Sequence, residues 1–349
     1  MFKEIDSQMY QNFRRNLRNK RKELGLTQKE LAKLANVSFR TIQNYENGLT
    51  PPTFSIVEKI ILVLAVDFEQ MFLLINDESI NYVKDFVKID VEKINYLVMN
   101  INFSIEELNK ELSLRNIRIA AQWFSGYIIK NGIEDVKDKF IKHCEFLQAV
   151  GADVAVYSEQ SGSIQGLKDV CVYTEKPIYT EEEFKVLADG LNELGEIALN
   201  YNLKLCYHHH LGTGIQTIDE TRKLMELTDP KKVFLLYDTG HIYVSDLEYM
   251  PLLKEFKDRI GHVHFKDVRI EKLKEAKNDK KSFLDSFLHG IFTVPGDGVI
   301  DYREVYDFLL DMNYKGWIII EAEQDPKIAN PLEYAIKGYN YLQGLKHYK

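Results

Sequence analysis

Cysteine is scarce. Only Cys144, Cys171 and Cys206 occur in 349 residues, far apart and in no Cys-x-x-Cys spacing, which argues against a disulfide framework or a cysteine-based zinc module. No apolar run approaches the roughly 18 residues that cross a bilayer, and no basic, apolar and small-residue leader pattern opens the chain. The expectation is a cytoplasmic protein with no membrane partner. Proline is sparse too, with eight residues, and no Gly/Ser-rich or Pro-rich stretch marks a linker. Apolar residues, by contrast, make up 45% of the chain and aromatics 12%, enough for a large core and more than one domain.

Charge is unevenly placed. Residues 1–75 hold eleven Lys and Arg against eight Asp and Glu, a net of +3, while the remainder carries −11. In the basic part, Phe13, Leu17 and Leu24 keep helical spacing, and Arg14, Arg15, Arg18, Lys20, Arg21 and Lys22 crowd the other faces. Thr27-Gln-Lys-Glu30 reads as a capping box that opens one helix. After a short turn at Asn36, Ser38 reads as the N-cap of another, which Gly48 and Pro51-Pro52 end. Leu31, Ala35, Val37 and Ile42 would form the seam between them, a helix-turn-helix. Arg40, Thr41, Gln43 and Asn44 on the second helix are side chains of the kind that reach base edges and phosphates. The runs Leu26-Thr-Gln-Lys-Glu-Leu-Ala-Lys-Leu-Ala-Asn-Val-Ser38 and Ile42-Gln-Asn-Tyr-Glu46-Asn-Gly48 resemble the lambda-repressor/Cro-type helix-turn-helix family. That resemblance implies binding of double-stranded DNA, with Thr27, Gln28, Ser38, Arg40, Thr41, Gln43 and Asn44 as contact residues, and a homodimer. A small helical bundle used only for protein contacts is the bland alternative.

Beyond residue 75 the pattern alternates between short β-branched or aromatic runs and amphipathic helices. Strands are expected at residues 94–99, 117–124 and 153–159 and in the runs 203–210, 233–241, 260–267 and 317–323, with helices after Ser104, over 133–149 and after Thr180. Such alternation means parallel βαβ units. Seven strands point to a (β/α)8 barrel whose first βα unit is atypical or missing. The expected organisation is a helix-turn-helix domain at 1–75, a junction at 76–101 and a barrel at 102–349. The densely charged 269–281 reads as a solvated loop or helix.

Four of these strands end on polar side chains, in Cys206-Tyr-His-His-His210, Tyr237-Asp-Thr-Gly-His241, His262-Val-His-Phe-Lys-Asp267 and Ile320-Glu-Ala-Glu323. Taken singly, a strand histidine is more often a hydrogen-bonded core residue, and an Asp before Thr-Gly a turn former. Four together at the catalytic rim of a barrel point to a shared divalent ion. Asp238, His264 and Glu321 are the expected ligands with His208 as the fourth, and His210 competes for that place because side chains two apart share a strand face. His241 and Asp267 are expected one step outside.

The same runs, with Tyr157-Ser-Glu-Gln-Ser-Gly-Ser-Ile-Gln-Gly166 and Gly290-Ile-Phe-Thr-Val-Pro-Gly-Asp-Gly298, resemble the inosose dehydratase family of the xylose-isomerase-like TIM-barrel superfamily, from about residue 102 onward. The resemblance implies loss of water from 2-keto-myo-inositol (scyllo-inosose), a polyol ketone, with Mn²⁺ or Co²⁺ and an associated glutathione requirement. The chemistry agrees, since dehydration beside a ketone needs a base, a Lewis acid and a proton donor. His208 and His210 are the candidate base and acid, and Glu321 counts as catalytic because it would hold the polarising ion. Glu159, Gln160, His241, Lys266, Asp267, Arg269 and Glu323 are candidates for binding substrate. Related epimerases place a proton-exchanging Glu where His208 stands, so elimination is expected over epimerisation. Two other readings are a transcriptional regulator whose barrel senses an inositol-derived or other sugar ligand without turnover, and a sugar isomerase or epimerase.

Overall fold

The computed structural model describes residues 8–50, 52, 54–64 and 104–346; the strand expected at 94–99 lies outside them. The chain divides into two compact units, Met1–Phe86 and Val87–Lys349.

The first unit contains helices α1 (Gln8–Glu23), α2 (Gln28–Leu34), α3 (Phe39–Asn47) and α4 (Phe54–Leu64). α2 starts where expected, with the Thr27 hydroxyl accepting from the Glu30 amide and the Glu30 carboxylate accepting from the Thr27 amide. The turn needs one left-handed residue, supplied by Asn36 at φ 50°. Ser38 then caps α3 by accepting from the Thr41 amide. Gly48 ends α3 at φ +69°, where a Cβ would also strike the Arg14 guanidinium. Phe13, Leu17, Leu31, Ala35, Ile42, Val57, Ile60 and Leu64 form the buried core, and Val37 packs against it half-buried.

One ion pair, Arg21 with Glu46, lies inside this small unit. Glu46 is buried and accepts from Arg21 through Nε (2.6 Å) and Nη2 (3.0 Å) and from Gln28 Nε2 (2.7 Å). Burial raises the Glu46 carboxyl, but Arg21 and Gln28 more than reverse that. Removing one partner of such a pair leaves the other buried and unpaired, at a cost of roughly 3–5 kcal/mol. That is a large share of a domain's typical stability of about 5–15 kcal/mol. Glu46→Ala is therefore expected to melt the helical unit well below the barrel in differential scanning calorimetry; an unchanged low-temperature transition would show that the pair does not hold this unit together.

The second unit is built on a curled parallel sheet. Its strands are β1 (Ala121–Gly126), β2 (Val154–Glu159), β3 (Lys204–His208), β4 (Val233–Asp238) and β5 (Ile260–Phe265), then, after a small antiparallel pair of β6 (Asp267–Val268) with β7 (Phe292–Thr293), β8 (Ile318–Ile320). The sheet order is β1-β2-β3-β4-β5-β8, every pair parallel. Departures from expectation are small: β1 begins at Ala121 and not at residue 117, β3, β4, β5 and β8 stop a few residues before the ends of their runs, and the β6–β7 pair was not foreseen. The charged stretch 269–281 holds a helix, one of the two forms expected, at Ile270–Asn278, because Leu273 and Ala276 bury one of its faces.

Alternation along the strands separates two apolar layers. Ala121, Val154, Val156, Cys206 and Leu236 cluster on the inner side of the curl. Ala155, Tyr157, Leu205 and Tyr207 face outward into the helices, where Phe140 of Ile133–Ala149 and Leu187, Leu191 and Leu194 of Glu181–Asn200 cover them. Among the described residues no strand pairs β8 with β1. Their ends are nevertheless drawn together at the base, where Trp317 Nε1 donates to Asp153 Oδ2 (3.0 Å) and the Arg118 guanidinium lies 5.5 Å from the Trp317 ring.

Candidate metal centre

The inward-facing residues at the C-terminal ends of β3, β4, β5 and β8 are His208, Asp238, His264 and Glu321, and they converge. His208 Nε2 lies 3.7 Å from Asp238 Oδ2, His264 Nδ1 lies 3.5 Å from the same oxygen, and His264 Nδ1 lies 3.1 Å from Glu321 Oε2. Despite that proximity, Asp238 Oδ2, His264 Nδ1 and Glu321 Oε2 are buried and make no aligned hydrogen bond. Buried polar atoms normally find partners. Lone pairs that face one another unaligned, from four groups within 4.8 Å, fit a divalent cation between them.

The surroundings aim these donors. Asp238 caps helix Thr239–Asp246 with Oδ1, which accepts from the Gly240 and His241 amides at 2.9 Å each, and this leaves Oδ2 turned to the cluster. Gly240 is needed there, since a Cβ would come within 2.7 Å of the Lys266 carbonyl oxygen. His208 Nδ1 donates to the His209 carbonyl (2.6 Å), which places its lone pair on Nε2. Burial, then His264 and the other nearby histidines, holds the His208 imidazole well below its usual value, the neutral state a ligand requires. His264 behaves oppositely: burial lowers it, but Glu321 and Asp238 outweigh burial and push it up to about 10.

A second layer lies beside the first. Lys266, 1% exposed, places Nζ 2.9 Å from Glu321 Oε2, 3.3 Å from Glu323 Oε2 and 3.5 Å from Asp238 Oδ2, and donates to His241 Nε2 at 2.9 Å. His210 Nδ1 meets the Gln165 amide and the Leu211 carbonyl, and its Nε2 faces Glu323 Oε1 at 3.9 Å.

Of the residues expected to touch substrate, Gln160 and Glu323 line the cavity over this cluster, together with His208, His210, His264 and Glu321. His241 and Lys266 lie beneath it. Glu159, Asp267 and Arg269 do not reach it. Glu159 sits on the outward face of β2, where it accepts from the Ile128 and Ser161 amides and the Tyr157 hydroxyl. Asp267 accepts from the amides of Val268, Gly296, Gly298 and Ile300 and so pins the loop after β7. Arg269 is occupied by Asp297, Thr293 and the Gly290 carbonyl. Residues not foreseen take their places. Trp123 of β1 sets its ring 5.4 Å from His208 and 5.6 Å from His210, and Gln165, His262 and Phe283 complete the walls of a cavity of about 250 Å³. His262 and Trp123 could have been found by period two, being in phase with His264 and Ser125.

A parallel sheet curled around such a rim is the architecture of TIM-barrel enzymes, whose active sites occupy that end. The xylose isomerase-like TIM barrel family model matches residues 86–345, and a helix-turn-helix model matches residues 17–71. Inosose dehydratase of Salmonella agona is 58% identical over 68% of this chain and 79% of its own length. That of Bacillus velezensis is 57% identical over 67% and 78%. A solved structure of IOLI protein with a binding zinc atom shares the fold at a TM-score of 0.54 and 18% identity, covering 73% of this chain and 85% of that one. The chain belongs to the xylose isomerase-like TIM barrel family, on its inosose dehydratase branch, and is a hydro-lyase. No helix among the described residues is long and apolar enough to cross a membrane.

Proposed function

We propose that the barrel removes water from 2-keto-myo-inositol with a divalent ion, Mn²⁺ or Co²⁺, on His208, Asp238, His264 and Glu321, and that the helical unit binds double-stranded DNA as part of a homodimer. The observation that carries the first half is the convergence of two imidazoles and two carboxylates, with buried atoms that make no aligned hydrogen bond, under a cavity that no Arg or Lys among the described residues lines, which suits an uncharged polyol better than a sugar phosphate. The name shared by the relatives supplies the substrate.

Held by His208, Asp238, His264 and Glu321, a divalent ion would supply Lewis acidity at the ketone. The remaining work falls to side chains. With His208 committed to the ion, His210 and His262 are the imidazoles left on the wall; burial lowers His210 to about 3, which keeps it neutral, and we assign to it the removal of the proton beside the ketone. Glu323, on the cavity wall 3.9 Å from His210 Nε2, is the carboxyl we assign to protonate the departing hydroxyl. Gln160 offers amide hydrogen bonds to ring hydroxyls, and Trp123 offers an apolar face to ring C–H groups. Glutathione has only the family resemblance as support. Incubating the purified full chain with scyllo-inosose and Mn²⁺, with and without glutathione, should give the ultraviolet absorbance of a conjugated product. Solvent deuterium entering the substrate without loss of water would instead favour an isomerase or epimerase.

The helical unit favours a second reading of the whole chain, in which the barrel senses a sugar ligand and regulates transcription. Such coupling requires that the ligand bind two arrangements with different affinity. In either reading Arg40 is exposed at the start of α3, whereas Gln28 is tied to Glu46 and the Ser38 and Thr41 hydroxyls bond to each other at 2.7 Å. Arg40 is therefore the contact residue of choice. Arg40→Ala should weaken binding to DNA from upstream of the protein's own gene by about 1–3 kcal/mol, measured by fluorescence anisotropy at fixed salt; unchanged affinity would remove α3 from the recognition role.

A further inference from the structure

We infer that the ammonium of Lys266 occupies the position a second divalent cation would take, and so keeps the centre mononuclear. The inference rests on the single-ion reading given above and deepens it.

His210, His241 and Glu323 form a second group whose ligand atoms lie within 4.8 Å of one another, next to the first. Their lone pairs are already aimed. Because an ammonium can only donate, the 2.9 Å contact from Lys266 Nζ makes His241 Nε2 the acceptor there. His210 Nδ1 donates to the Leu211 carbonyl at 3.0 Å, which leaves the Nε2 lone pair toward Glu323, and Glu323 Oε2, with no aligned hydrogen bond, lies 3.8 Å from His241 Nε2. Two imidazole nitrogens and a carboxylate suit a divalent transition metal. Where that ion would sit there is a cation already, 2.9 Å from one member of the group and 3.3 Å from another, backed by the Phe292 ring at 5.1 Å.

Charge balance points the same way. Asp238, Glu321 and Glu323 can carry three negative charges; one divalent ion leaves a single excess, and Lys266 cancels it. Without the ammonium the excess would draw in another cation. Lys266 is thus a positioning residue. It ties Glu321 and Glu323 to His241 and leaves the cavity side of the first ion to substrate.

Metal stoichiometry on the full chain tests this, by equilibrium dialysis with elemental analysis and by electron paramagnetic resonance with Mn²⁺. The wild type should hold one equivalent and give the spectrum of an isolated ion. Lys266→Ala should hold two and show exchange coupling, Lys266→Arg should stay at one, and adding His241→Ala to Lys266→Ala should return the count to one. Lys266→Met, which keeps the stem on Phe292, gives the same reading if the alanine variant fails to fold, with circular dichroism as the folding control. A wild type holding two ions, or charge-removed variants that fold and still hold one, overturns the inference while leaving the metal reading standing. A wild type that holds none defeats the metal reading, and the inference with it.

Discussion

Asp238→Asn is expected to strip the protein of bound divalent metal and to lower dehydratase turnover by at least about a thousandfold, the size of effect that several kcal/mol of lost Lewis-acid stabilisation produces. The reason is the division of labour between the two carboxylate oxygens. Oδ1 caps helix Thr239–Asp246 through two backbone amides, and Oδ2 faces the ion. An amide can keep its oxygen on the cap but then presents an NH₂ group, a donor without a lone pair, to the cation. The helix and the strand should therefore survive while the ion does not. Elemental analysis with far-ultraviolet circular dichroism checks both halves. Undiminished metal in a folded variant would disprove the ligand set, and a variant that unfolds would show the cap to matter more than the ion.

Metal uptake should also be steeply dependent on pH. Without the ion, His264 is held up to about 10 by Glu321 and Asp238 against its burial, whereas a ligand must be deprotonated. Asp238 and Glu321 are driven below their usual values and His208 stays neutral, so His264 alone must give up a proton. The sign follows: the proton is bound at every pH below about 10, and binding the ion expels it, so affinity rises with pH. One proton per ion means about tenfold per pH unit, or roughly a hundredfold between pH 6 and pH 8. Calorimetric titration in buffers of different ionisation enthalpy would count that proton. A pH-independent affinity would mean that His264 is neutral before the ion arrives. In the metal-free protein the same raised value stabilises the fold fully below about 6.5, the ordinary histidine value, and that contribution fades as pH climbs toward 10.

Much of this was legible because short apolar runs ending in His, Asp or Glu can hardly be anything but barrel strands with a site at their ends. The helix caps at Thr27, Ser38, Ser104 and Thr180 were equally readable, each resting on a local hydrogen bond written into adjacent residues. Glu159, Asp267 and Arg269 were harder. They belong to motif runs, yet Glu159 and Asp267 each neighbour an inward residue, and a step of one along a strand turns a side chain from cavity to helix layer, while Arg269 lies past the end of β6 at the start of helix Ile270–Asn278. Their carboxylates and guanidinium hold the backbone of the loops that shape the pocket, a role only coordinates reveal. The inward phase of Lys266 was readable; that its ammonium stands among three carboxylates from β4 and β8 was not, since this depends on how tightly the sheet curls.

The chain contains two tryptophans, and the fold has separated their environments. Trp123 looks across the imidazoles of the cluster, while Trp317 sits at the opposite end of the sheet in the seam with Asp153 and Arg118. Intrinsic emission from this protein is thus a two-channel signal: one indole sees what happens at the mouth, the other whether the base has come apart, and replacing either with phenylalanine isolates the other.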